Sequence, residues 1–139
     1  MKVPINLSHK PIISVNDYDR IDAQYAHKSD AKALSIGQAQ YDEEEISLKI
    51  WRHTGEKWSR ESEEMPLHRS IDLNILLVGA LLTDVDAHYP MTSFREEIIE
   101  PSKVKDIQDY YKNHEKFLRP RLAELKSILD NFFDKEKVK

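Results

Sequence analysis

The stretch WSRESEEMPLHRSIDLNILLVGALL, Trp58 to Leu82, decides how the rest of the chain is read. Its second half is the most apolar run in the protein, and Ile75 to Leu82 carries no charge. That run is far shorter than the ~20 residues a membrane-spanning helix needs. Apolar residues at Leu67, Ile71, Ile75, Val78 and Leu82 recur at spacings of three and four, which predicts a helix over about 63–82. Leu73, Leu76, Leu77 and Leu81 fill its other faces, and a helix apolar all round is expected to be enclosed. Pro66 is tolerated in a first turn. Two starts stay open: Ser62 as N-cap with Glu63 and Glu64 in the first turn, or Met65 as cap with Pro66 at the first helical position.

The polar half of the stretch supplies the candidate site. On a helix, Glu64, His68 and Asp72 stand at i, i+4 and i+8 and share one face. Asp72 lies between Ile71 and Leu73, so its carboxylate needs a partner if it is buried. The preferred reading is a structural ion pair with His68, Arg69, Arg60 or Arg52. The sharper reading makes Glu64, His68 and Asp72 a catalytic acid/base set or a metal site. A third builds an anion site from Arg60, Arg69 and the helix N-terminus. Arg52, Trp58, Arg60 and Arg69 are the candidate ligand-binding residues, since arginines beside an aromatic face and a helix start can receive an anion. Against this, Glu61, Glu63, Glu64 and Asp72 are closer partners for those arginines, and Trp58 reads as an anchor of its loop on the core.

Three pieces of this region carry a resemblance: SIGQAQYD at Ser35 to Asp42, WRHTGEKWSR at Trp51 to Arg60, and SEEMPLHRSIDL at Ser62 to Leu73. Over Leu34 to Leu77 the chain resembles an uncharacterised family of small bacterial proteins, a domain of unknown function. The resemblance implies a bacterial origin and no chemistry. It also implies that Trp58, Arg60, Glu63, Glu64, Pro66, His68, Arg69 and Asp72 belong together.

Composition narrows the classes. The chain has 139 residues, the size of one domain, with a formal net charge of −4. That charge gives no reason to expect nucleic-acid binding. Cysteine is absent, which excludes disulfide frameworks, thiolate metal sites and cysteine nucleophiles. No signal-peptide pattern opens the chain, so a cytoplasmic location is expected, with no membrane contact.

Met1 to Lys10 is polar and reads as loosely held, and Ile12–Val15 is a short β-type run. Tyr18 to Ala33 reads as irregular with one helical turn. Ile46, Leu48 and Ile50 alternate with Ser47, Lys49 and Trp51, so 34–41 and 45–53 are predicted as a hairpin. Asp42 to Glu45 forms its acidic turn, and Thr54 to Lys57 the next one. Gly37, mid-strand, marks a bulge or a close approach. Asp84, Asp86 and His88 include metal-ligand types but lack the rest of a calcium loop, so no metal site is assigned. Ser93 to Glu96 is a possible capping box for a short helix. The seven-residue recurrence of Val104, Tyr111, Leu118, Leu125 and Phe132 predicts C-terminal helices at about 103–118 and 120–133, joined at Pro120.

The expected class is α+β in a single domain, residues 1–139: a small antiparallel sheet on a buried central helix, with the C-terminal helices on its other side. Ile46, Leu48 and Ile50 should face that helix, and Lys49 should face away. The amount of apolar helix surface predicts a homodimer. No phosphate loop, nucleophile elbow or H-E-x-x-H appears, which favours a non-catalytic binding or protein-interaction module. Its partner would be a protein or a small anionic ligand. The alternative is a small enzyme using Glu64, His68 and Asp72 on an anionic, phosphate- or carboxylate-bearing substrate. The sequence names no cofactor.

Overall fold

The structure is a computed structural model and describes residues 1–59, 62–87 and 89–138. Arg60, a candidate ligand-binding residue, and His88, the end of the Asp84-x-Asp86-x-His88 pattern, lie outside the described residues. The class is α+β: among the described residues, a four-stranded antiparallel sheet and three α-helices. The chain divides into two compact units, Met1–Leu76 and Leu77–Lys139, with the division inside the central helix.

The first unit holds the sheet. Its strands are β1 (Lys10–Asn16), β2 (Ala31–Gln38), β3 (Ile46–Arg52) and β4 (Glu63–Pro66), adjacent in chain order. The expected hairpin is β2 and β3, and the 10–16 run lies beside it. In the turn between them, Asp42 accepts from the amides of Glu44 (2.9 Å) and Glu45 (3.0 Å), as turn aspartates do. Gly37 marks both features expected of it. The register of β1 against β2 shifts between Pro11 and Ile13, and a Cβ on Gly37 would meet the Lys10 carbonyl oxygen at 2.1 Å. Between β1 and β2 the chain makes two 3₁₀ turns, Tyr18–Arg20 and Ala23–Tyr25.

The helix α1 runs over Leu67–Leu82, not from 63. Glu63–Pro66 is a strand paired with β3, with Lys49 opposite Glu64 and Leu48 opposite Met65. The cause is Pro66: its ring clashes with a helical conformation of the preceding residue and pushes Met65 into extended geometry. Of the two starts left open, the one with Ser62 as N-cap fails, and the one with Pro66 as first helical residue falls one residue before the observed Leu67. The helix is also not enclosed within the chain. Leu73 is 54% exposed, Leu76 40% and Leu77 45%, and Gly79 alone is buried.

Alternation in the sheet gives two unlike faces. Ile36, Leu48 and Met65 share one with Ile13, which is 67% exposed. Ala33, Ser35, Ser47 and Trp51 share the other, and these are the buried ones. Lys49 is on this second face, opposite in sense to Ile46, Leu48 and Ile50 as expected. Ile46 is 38% exposed. The N-terminal segment corrects another expectation: His9 is fully buried. The Val3 amide donates to Asn16 Oδ1 at 2.8 Å, and Met1 is tied to Asp17 through both its ammonium and its carbonyl.

The second unit holds the end of α1, then α2 (Val104–Asn113) and α3 (Glu115–Val138). Gly79 lets the 91–92 segment approach, since a Cβ there would meet Thr92 Cγ2 at 2.6 Å. Gln108 donates to the Thr83 carbonyl at 2.9 Å and covers a group that a helix end leaves open. No helix forms at 93–99. Instead Glu96 folds back and accepts from the amides of Met91 (2.6 Å) and Thr92 (3.1 Å). These amide bonds, with the Thr92 hydroxyl, hold its carboxyl at a pKa of about 2. The C-terminal break falls at His114 rather than at Pro120. The His114 ring stacks on Tyr110 at 4.1 Å and its Nδ1 meets the Tyr110 carbonyl at 2.8 Å. A restart at Glu115 leaves Pro120 inside α3, one turn past its start, where its missing N–H leaves the Lys116 carbonyl without its helical partner. No described helix is long and apolar enough to cross a membrane.

Candidate functional site

The buried face of the sheet carries a chain of hydrogen bonds whose directions can be worked out. Ser47 Oγ lies 3.0 Å from Glu64 Oε2, and a carboxylate only accepts, so Ser47 donates. His9 Nδ1 is 2.9 Å from the same hydroxyl and must therefore donate to it. Trp51 Nε1, which can only donate, gives its proton to Ser35 Oγ at 2.8 Å. Ser35 Oγ is 2.9 Å from His9 Nε2 and gives its own proton to that nitrogen. The run is Trp51 to Ser35 to His9 to Ser47 to Glu64, all in one sense. This sense of donation is that of a neutral His9 protonated at Nδ1. Burial lowers the His9 pKa, with Lys49 acting in the same direction and Glu64 opposing.

This chain ends at a cavity of about 450 Å³ within the first unit. Lys49, Glu64, Trp51 and Trp58 line it. Leu7, Ser8, Gln40, Ser59 and Ser62 complete it. The turn at 54–57 makes this possible. Gly55 adopts φ 102°, which favours glycine, and the chain doubles back so that Ser59 N bonds Arg52 O at 2.7 Å. Trp58 then packs edge-on against Trp51 and His53, with ring centroids 5.7 and 5.0 Å apart. It is the anchor expected of it, and it also lines the cavity.

Glu64 is pinned through Oε2, which accepts from Ser47 and from the Gln40 amide at 2.9 Å. Its Oε1 faces Lys49 Nζ at 3.9 Å, longer than a hydrogen bond. The ammonium sits 3.9 Å over the Trp51 ring centroid, a favourable cation–π position. The two side chains are only 10% and 13% exposed. Burial lowers the Lys49 pKa, and Glu64 acts against that shift.

The sequence-derived site residues separate. Glu64 lines the cavity from β4, while His68 and Asp72 lie on α1, so the helical face expected to unite the three does not exist. Among the described residues, no hydrogen bond or ion pair joins His68 or Asp72 to a partner, and no group of metal-ligating side chains forms. Arg52 is held by Asp30 at 2.6 Å and Glu63 at 2.7 Å. The Glu63 and Asp30 hydrogen bonds raise its pKa, and the Glu63 carboxyl is lowered in turn by Arg52. Arg69 is exposed on the first turn of α1. His9, Lys49 and Trp51 were not singled out by sequence reasoning. The available signal was period two: Ser47, Lys49 and Trp51 repeat polar and aromatic residues on the face opposite the isoleucines.

A family model described as a family of unknown function, DUF6530, matches residues 1–99. The chain belongs to this family. The match includes every residue that lines the cavity and ends before α2 and α3. No curated protein and no solved structure matches the chain.

Proposed function

We propose that the chain is a non-catalytic binding module whose site is the cavity beside Lys49 and Glu64. One observation carries the reading: an ammonium and a carboxylate on neighbouring strands line the same cavity, yet stay 3.9 Å apart. Ligand sites combine a few fixed polar groups with apolar surface, and here Trp51, Trp58 and Leu7 supply the apolar part of a mostly polar lining. The enzyme reading is weaker. The histidine linked to Glu64 is His9, which is fully buried with both ring nitrogens occupied, so it has no path to a substrate proton. A fluorescence titration of the two tryptophans against a diverse set of small polar compounds tests the proposal. The expected result is a saturable change that weakens in Lys49→Met. A set in which nothing binds would end it.

A homodimer is proposed for a separate reason. The sheet face of Ile13, Ile36, Ile46 and Leu48 is aliphatic, and Ile13 (67%) and Ile46 (38%) are exposed on it. Two such faces related by a two-fold axis would cover each other, as stacked sheets do. The expected solution mass is twice the chain's 16.3 kDa by light scattering, and Ile46→Glu should halve it. A monomer at micromolar concentration would refute the dimer.

A further inference from the structure

We propose that the cavity takes a small zwitterion, an α- or β-amino acid in its chemistry, with the ligand carboxylate on Lys49 and its ammonium on Glu64. The inference rests on the binding reading above and narrows it to one class of ligand.

Lys49 and Glu64 are direct cross-strand partners, so nothing in the register prevents them from closing. They are held apart by their other bonds. Glu64 Oε2 is fixed by Ser47, itself the end of the buried chain from Trp51, and by the Gln40 amide. Lys49 Nζ is held over the Trp51 ring. Closing the gap would break one of these contacts. Among the described residues, Lys49 Nζ has no acceptor within hydrogen-bond range, and Oε1 is the carboxylate oxygen left over.

The charges select the ligand. A lone anion gains Lys49 and meets repulsion from Glu64. A lone cation has the reverse problem. With both side chains largely shielded from water, neither term is fully screened by solvent. A ligand carrying both charges converts both terms to attraction, with signs alternating around a four-membered ring of charges. The gap also sets the spacing. With a charge-assisted bond of about 2.8 Å at each end and the two bonds side by side, the ligand's own nitrogen and oxygen lie roughly 4 Å apart. One or two carbons between ammonium and carboxylate satisfy this. Trp58 and Leu7 are left to receive whatever side chain the ligand carries.

The test uses the full chain and four plain probes in the tryptophan titration: amino acids including β-alanine, acetate, ethylamine and acetamide, with inorganic phosphate alongside. Amino acids are expected to bind at least about tenfold more tightly than acetate or ethylamine, that factor being 1.4 kcal/mol. Lys49→Met and Glu64→Gln should each reduce amino-acid affinity to the level of the single-charge probes. The wild-type comparison stands even if a variant fails to fold. Acetate or phosphate binding as tightly as the amino acids would overturn the zwitterion while leaving a binding module. Acetamide doing so would replace it with a neutral amide. Failure of every probe and of the wider compound set would overturn both proposals.

Discussion

The imidazole of His9 and the indole of Trp51 meet on a single atom, the hydroxyl oxygen of Ser35, at 2.9 and 2.8 Å. The first comes from the N-terminal segment and the second from β3, so this atom closes the contact between them. Ser35→Ala strips the indole N–H and one imidazole nitrogen of their partner in a buried site. A buried polar group left unsatisfied costs about 1–3 kcal/mol. The expected loss is about 2–4 kcal/mol in urea unfolding. A loss below half a kcal/mol would mean the hydroxyl is not bridging them.

The same imidazole makes the fold acid-sensitive. Its folded pKa is lowered from 6.5, so below 6.5 the unfolded chain binds a proton that the folded chain resists. Stability is therefore full above that value and falls as pH drops toward the lowered folded pKa, with a slope of up to about 1.4 kcal/mol per pH unit. Urea midpoints between pH 7.5 and 5 should show this slope, and His9→Gln should remove it. A wild-type midpoint flat over that range would contradict the buried neutral ring.

Gly37→Ala should be costly for a steric reason. The added methyl would sit 2.1 Å from the Lys10 carbonyl oxygen and 2.8 Å from the Pro11 Cα, both backbone atoms. Forced overpacking typically costs about 1–3 kcal/mol. The loss should be accompanied by faster amide exchange in β1. Unchanged protection there would show that β1 is not tied to β2 at this point.

Glu96 gives the second unit an acid response of its own. Its folded pKa, about 2, is below the usual 4.5, so its contribution is present above pH 4.5 and is lost as pH falls toward 2. Glu96→Gln should remove that response, read from amide exchange of Met91 and Thr92. Protection of those two amides that is the same at pH 5 and pH 3 would argue against the carboxylate's role.

The strands were legible because their signal is local. Ile46, Leu48 and Ile50 alternate over one strand, and Gly37 announced the close approach of β1. The start of α1 was misread because the 3–4 spacing was carried back through Pro66, although proline excludes helix from the residue before it. That shift moved Glu64 from a helix face to a strand and separated it from His68 and Asp72. The break at His114 was hidden by an uninterrupted seven-residue stripe, with Pro120 the more visible breaker. His9 was not legible at all. Its burial depends on Ser35, Ser47 and Trp51, and no spacing in the sequence links a histidine in a polar leader to those three positions.

Each outer strand of the sheet carries a proline: Pro11 in β1 and Pro66 in β4. Proline lacks the N–H that an incoming strand would bond, and β1 is further interrupted by its irregular register beside Pro11. β4 adds two adjacent carboxylates and ends after four residues. Neither border therefore offers a clean template for another chain's backbone. Where copies of this protein crowd together, both borders of the sheet thus present edges that discourage growth of a continuous intermolecular ladder.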